Sequence, residues 1–132
     1  MKTSKVPQHK RLSTVSKLFG VHFPFRIEPM IYHLAGTLCH DYQGGYWQFV
    51  MLDDAGFFMY PDSDARFEVS CPNQYTDTVS AKAFGLITCL YCYSALSFDG
   101  ADYSQRCSEQ YHLIREYALS HPEAERILAA ID

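Results

Sequence analysis

A chain of 132 residues that is 48% apolar and 15% aromatic can bury one real core and is too short for two comfortable ones, which sets a single domain as the expectation. Its formal charge of −4 hides an asymmetry: the first 27 residues carry Lys2, Lys5, Lys10, Arg11, Lys17 and Arg26 with no acid, and the remainder carries five bases against fifteen acids. A net −10 on that remainder is far sparser than the one charge per about 1.7 Å of axis that a copy of B-DNA must present, which argues against a phosphate mimic.

The chain divides, on this reading, into a basic N-terminal arm over 1–27 with one short helix and a domain over 28–132. The arm reads first as a solvated segment, with nucleic-acid contact as the alternative, since its six charges lack interleaved aromatics. Five cysteines make an odd count, and MKTSKVPQHK leads into no apolar core of a secretory signal. The longest uncharged run, Ala83 to Phe98, is short and interrupted for a membrane span. A soluble, reducing, cytoplasmic setting is expected, with the oligomeric state left open.

In chain order, Leu12, Val15, Leu18 and Phe19 share one face at helical spacing, and Gly20 is placed to end that helix. Pro24 pushes Phe23 out of helical geometry, so Val21 to Arg26 reads as an extended connector. Pro29 suits a first helical turn, and Met30, Ile31, Leu34, Ala35, Leu38 and Cys39 form a stripe running to a stop at Gly44 and Gly45. A strand follows over Tyr46 to Leu52. DDAG makes a hairpin turn with Gly56 at the left-handed position, and Phe57 to Tyr60 returns as its partner.

Arg66 to Cys71 alternates Phe67, Val69 and Cys71 against Arg66, Glu68 and Ser70, the pattern of a strand with one wet face. After a turn at Cys71 to Gln74, Tyr75 to Val79 supplies a fourth strand of one antiparallel meander. Ser80 is the expected N-cap of a helix to Ser97 that is apolar on all sides and therefore central. Gly100 breaks it, Asp102 or Ser104 caps the next helix as far as Leu119, and Ser120, His121 and Pro122 restart a last one. The expected class is α+β: an antiparallel meander of three to four strands with about five helices.

Chemistry is harder to find. Cys89 and Cys92 form a CxxC inside the central helix rather than at its N-terminus, so core thiols are the expectation. Glu109, His112 and Glu116 share a helix face, but no second Glu-x-x-His accompanies them, and His33 and His40 lie seven apart with Asp41 beside the second. No GxSxG elbow, phosphate-cradling loop or dinucleotide fingerprint is present. No catalytic residue, metal or cofactor is expected from these patterns. Both faces of Tyr46 to Leu52 are apolar, so either helices cover both or one is an exposed patch.

The combination LCHDYQGGYW (38–47), LDDAGFFMYPDSDARF (52–67), SAKAFGLITCLYCYSALSF (80–98) and YHLIREYALSHPEAERILAAID (111–132) resembles the ArdB/KlcA antirestriction family. With the HLAGTL helix the resemblance covers roughly 28–132; residues 1–27 match no part of it. It implies an α+β fold and relief of type I restriction by an inhibitor that is neither nuclease nor protease, and it supplies no mechanism; the modest acidity argues against phosphate mimicry and leaves protein contact as the expectation. The partner expected is then a type I restriction-modification complex or an associated host factor; direct DNA binding is disfavoured by the charge pattern, with a nucleic-acid-binding module using the basic arm as the alternative, and no membrane partner is expected from the apolar runs. The polar corner Asp41, Tyr42, Gln43, Tyr46 and Trp47, then Asp62, Asp64 and Arg66, and the doubly charged terminal Asp132 are the residues expected to meet that partner.

Overall fold

The computed structural model describes residues 1–132. Five α-helices and five strands follow one another as β1 (Thr3–Lys5), α1 (Arg11–Phe19), α2 (Glu28–Leu38), β2 (Trp47–Leu52), β3 (Gly56–Pro61), β4 (Arg66–Ser70), β5 (Thr76–Ser80), α3 (Ala81–Ser97), α4 (Ser104–Leu119) and α5 (Ala124–Ile131). A 3-10 turn at Gln8–Lys10 precedes α1, and a π-helical turn at Phe23–Ile27 leads into α2. The α+β class, the antiparallel pairing and the five helices are as the sequence indicates.

The strands fall into two sheets and not one meander. One has the order β1-β2-β3 and the other is the β4–β5 hairpin. The physical reason is that the inner face of the second hairpin packs separately on α3, where the Phe67 ring lies flat on Phe84 at 4.8 Å with an interplanar angle of 3°. The first sheet gains its third strand from the N-terminus: Thr3 pairs with Leu52 and Lys5 with Val50, and the Val6 N–H donates to Phe49 O at 2.8 Å.

Residues 1–27 are thereby built into the body instead of hanging free. Val6, Val15, Phe19, Phe23 and Ile27 join the core, and burying a side chain of the Phe19 or Phe23 class stabilises by about 1.5–3 kcal/mol. The Val21 to Arg26 connector, expected to be extended, closes into the π-helical turn: Pro24 stands in the turn's first residues, where a missing N–H costs nothing. Phe23 can then stack on Phe19 at 5.9 Å and meet Phe57 edge-on at 5.6 Å.

Both faces of β2 are covered, since Trp47, Phe49, Val50 and Leu52 are all buried. On the far face, Phe58 of β3 stacks on Tyr117 of α4 at 5.6 Å. The hairpin turn between β2 and β3 places Asp53 and Asp54, with φ of 49° and 64°, in the left-handed positions expected of Gly56. Two successive positive φ values are the type I′ geometry that matches strand twist, and aspartate tolerates them. Gly56 instead sits within β3, where a Cβ would come within 3.1 Å of Leu52 Cβ.

The centre is α3, with twelve of its seventeen residues buried and contacts to α2, α4, α5, β3, β4 and β5. Ser80 caps it as expected, accepting the Ala83 N–H at 3.2 Å. At Gly85 the helix meets β3 backbone to backbone: a Cβ there would lie 2.3 Å from Tyr60 Cβ and 2.4 Å from Met59 O. Only glycine permits that approach. At the start of α4 neither Asp102 nor Ser104 caps with its side chain; Ser104 Oγ turns inward and donates to Leu96 O at 2.8 Å.

Candidate functional site

The helix α2 stops at Leu38, six residues before the glycines expected to end it, because Cys39 already takes extended geometry (φ −128°, ψ 109°) and buries its thiol. Residues 39–46 then form an irregular corner between α2 and β2. Gly44 and Gly45 turn it with φ of 91° and 126°, and no atom lies within 4 Å of where their Cβ would be. The constraint on them is therefore backbone conformation and not space.

Of the expected surface residues, Asp41, Gln43 and Tyr46 are exposed on this corner and Tyr42 is half-buried. Trp47 is not on the surface at all: it is 1% exposed, because its indole fills the space between Tyr32, Tyr42 and Phe84, with ring centroids 5.5, 5.9 and 6.2 Å away. Its Nε1–H is satisfied by Tyr42 Oη at 2.7 Å. Trp47 can shape the corner from beneath, but it cannot touch a partner directly.

The β3–β4 loop is joined to the corner, since the Asp62 N–H donates to Tyr46 O at 2.8 Å. Asp62 and Asp64 are exposed on it. Arg66 is exposed yet engaged, donating from Nη2 to Thr78 O at 2.9 Å and standing 3.8 Å from the Glu123 carboxylate. Asp132 belongs elsewhere. It ends α5, whose Ala129 and Ala130 carbonyls accept from Asn73 Nδ2 at 2.9 and 3.2 Å, so it sits by the β4–β5 turn and not with the corner.

Two features of this region escape a local reading. A cleft of about 250 Å³ opens between the end of α2 and the outer face of β4, lined by Thr37, Leu38, His40, Asp41, Glu68 and Ser70. The clean alternation along β4 is the signal that points Glu68 and Ser70 outward. The second is Arg11 of α1, which reaches across to the corner: Nη2 donates to Trp47 O at 2.8 Å, and the guanidinium lies 4.6 Å from the Tyr46 ring centroid and 4.2 Å from that of Phe49. A guanidinium held between two aromatic faces is a cation–π sandwich. Its partners are 35 and 38 residues away in sequence, and no local pattern announces them.

The junction of the hairpin with the last helix forms a separate polar knot. Glu123 accepts the Ser80 N–H at 3.1 Å and the Ser80 hydroxyl, and Arg66 and Arg126 each stand 3.8 Å from it. Burial alone would raise the Glu123 carboxyl, yet the hydrogen bonds from Ser80, with His121 and Arg66 nearby, hold it below the usual range. Burial also lowers His121, whose Nδ1 accepts the Glu123 N–H at 3.0 Å. Every strong partner here is internal, which makes the knot a fastening for α5.

The cysteines are core groups. Cys89 and Cys92 Sγ face Met59 O and Ile27 O at 3.6 and 3.8 Å, and burial pushes the Cys89 thiol up to about 12 and Cys92 well above its ordinary value. Protonated thiols of this kind are poor nucleophiles. Glu109, His112 and Glu116 lie on α4, where Glu109 pairs with Arg106 at 3.6 Å.

Comparison with known proteins places this architecture. A family described as antirestriction protein matches residues 40–132. Antirestriction protein KlcA of Escherichia coli is 33% identical over 98% of the chain and 93% of its own length. The putative antirestriction protein YubI of Escherichia coli K12 is 34% identical over 98% of the chain and 95% of its own length. Among solved structures, one from work on KlcA and ArdB superposes with a TM-score of 0.90 at 33% identity, covering 99% of this chain and 94% of that one. Those two proteins are described as having a novel fold and antirestriction activity against type I DNA restriction systems in vivo but not in vitro.

Proposed function

We propose, from the premise that the chain belongs to the antirestriction protein family, that it relieves DNA cleavage by type I restriction systems and does so through protein contact in the cytoplasm. The observation that carries this reading is the whole-chain match, a TM-score of 0.90 with 33% identity, to proteins with that activity in vivo. Activity of those relatives in vivo but not in vitro fits a mechanism that needs a component of the cell, either the restriction complex in its cellular state or an associated host factor.

Charge placement supports contact over mimicry. Four of the fifteen acids, Asp77, Asp99, Glu109 and Glu123, are tied up in ion pairs with this chain's own arginines. The exposed ones, such as Asp41, Asp62, Asp64 and Glu68, surround a corner and form no ladder with the phosphate repeat of DNA. The corner Asp41, Tyr42, Gln43 and Tyr46, extended by Asp62 and Asp64, is the proposed contact surface, with Trp47 supporting it and Arg66 at its margin. No helix is long and apolar enough to cross a membrane.

The test is plating of unmodified phage on a host with an active type I system, with and without the expressed chain. A rise in plating efficiency that disappears on a non-restricting host is the expected result. An unchanged plating efficiency at confirmed soluble expression overturns the reading.

A further inference from the structure

Arg11 joins the N-terminal segment to the corner, and it stands where local physics disfavours it. It opens α1, whose first turn holds no acid, so its charge starts from the helix end that disfavours a cation. None of the chain's ion pairs includes it. Its Nε is buried with no hydrogen-bond partner, a loss that an apolar side chain of similar length would avoid. Local rules broken at one position, with no gain for the helix that carries it, point to a role elsewhere in the fold.

That role lies in what the guanidinium holds. Its Nη2 donates to Trp47 O at 2.8 Å, which pins the backbone where the corner runs into β2. The same group lies 4.6 Å from the Tyr46 ring centroid, and the buried Phe49 ring backs it at 4.2 Å. Tyr46 is nevertheless 48% exposed, so its ring rests on the guanidinium and leaves its remaining surface to solvent. Tyr46 O accepts the Asp62 N–H at 2.8 Å, so fixing Tyr46 also fixes the start of the loop that bears Asp62 and Asp64. A tyrosine already held in one orientation loses little freedom when a partner covers it, and tyrosine is among the residue types that anchor protein interfaces.

We infer that Tyr46 is the aromatic anchor of the contact surface and that Arg11 is its positioning residue, supplied from outside residues 40–132, the span that the antirestriction protein family matches. The anchor rests on the protein-contact reading proposed above. The positioning does not, since it is a property of the chain alone.

Amide hydrogen exchange on the full chain tests the positioning. In Arg11→Met the Asp62 amide, bonded to Tyr46 O, is expected to lose protection by about tenfold, while the Cys71 amide, bonded to Tyr75 O at 2.9 Å in the second hairpin, keeps its rate. Arg11→Lys retains a cation and a donor and is expected to recover part of the loss. Equal loss at both amides makes Arg11 a general stabiliser and overturns the inference, as does unchanged protection at Asp62. The plating assay tests the anchor. Tyr46→Ala is expected to lower relief by about tenfold at an unchanged melting temperature, and Arg11→Met by less. The double variant should lose no more than Tyr46→Ala alone, because a residue acting through Tyr46 then has nothing left to act on. Full relief by Tyr46→Ala refutes the anchor, and a double variant that multiplies the two losses refutes the coupling. No relief by the wild type refutes the antirestriction function instead and leaves the exchange measurement to decide Arg11 by itself.

Discussion

The contact of α3 with β3 and the corner at 39–46 are neighbours built to opposite rules. Where α3 crosses β3, Gly85 lies against the Tyr60 backbone, Cys89 against Met59 O, and the Tyr93 hydroxyl donates to Phe57 O at 2.7 Å. Gly85, Cys89, Met59, Tyr93 and Phe57 are all buried there. The corner is the reverse: Asp41, Gln43, Gly44, Gly45 and Tyr46 are exposed, and its conformation is held by two glycines, the Trp47–Tyr42 hydrogen bond below and Arg11 from the side. Close packing makes the first region sensitive to any change of volume, whereas the second can change its side chains without disturbing a core. A loss of function at the first therefore says little about contact, and a loss at the second says a great deal.

The largest expected effect breaks the packed region. Gly85→Ala forces a methyl group against backbone atoms that cannot step aside, and overpacking of this kind costs typically about 1–3 kcal/mol, with the upper end or beyond expected here. Urea unfolding should show the loss directly, and antirestriction should fall in proportion to folded protein. A variant of wild-type stability would mean that α3 and β3 are free to part.

An intermediate effect comes from the knot that fastens α5 beside the hairpin. Glu123→Gln removes a charge-assisted pairing with Ser80 and is expected to cost about 1–2 kcal/mol. The pH dependence has a definite sign. The Glu123 carboxyl is lower in the folded state than its ordinary value of 4.5, so its contribution is fully present above that value and is lost as pH falls through the folded one. Stability followed from neutral to acid pH should decline less in Glu123→Gln than in the wild type. Equal declines would show that Glu123 does not carry the linkage.

The smallest effect on stability is the most informative about the corner. Gln43→Ala and Asp64→Ala alter exposed side chains, and surface substitutions of this kind stay within about 0.5 kcal/mol. Relief of restriction is expected to fall while the melting temperature holds. Should activity persist in both, the contact surface lies away from these residues.

Much of this architecture is written locally. The stripe of α2, the all-round apolar α3, the Ser80 cap and the wet alternation of β4 are set by side-chain period and by short-range hydrogen bonds, which act between residues a few positions apart. Those same rules place Asp41, Gln43 and Tyr46 on a corner and leave Glu68 and Ser70 facing out. The family resemblance, carried by stretches between 38 and 132, supplies the functional class without any part of the mechanism.

Other features depend on which distant surfaces meet. The N-terminal strand joins β2 across 49 residues from Thr3 to Leu52; the second hairpin leaves the first sheet for α3; Trp47 sinks beneath the corner it was expected to display; and Arg11 crosses to that corner from a segment that reads as a solvated arm. Each is decided by burial of apolar area and by satisfaction of buried polar groups, terms that exist only once remote parts of the chain are side by side. The sequence by itself thus determined most of the helices, the strands of the two hairpins and the class to which the chain belongs. Tertiary structure decided which aromatic residues became core, which polar residues remained free to meet a partner, and that the basic N-terminus is part of the body bearing them.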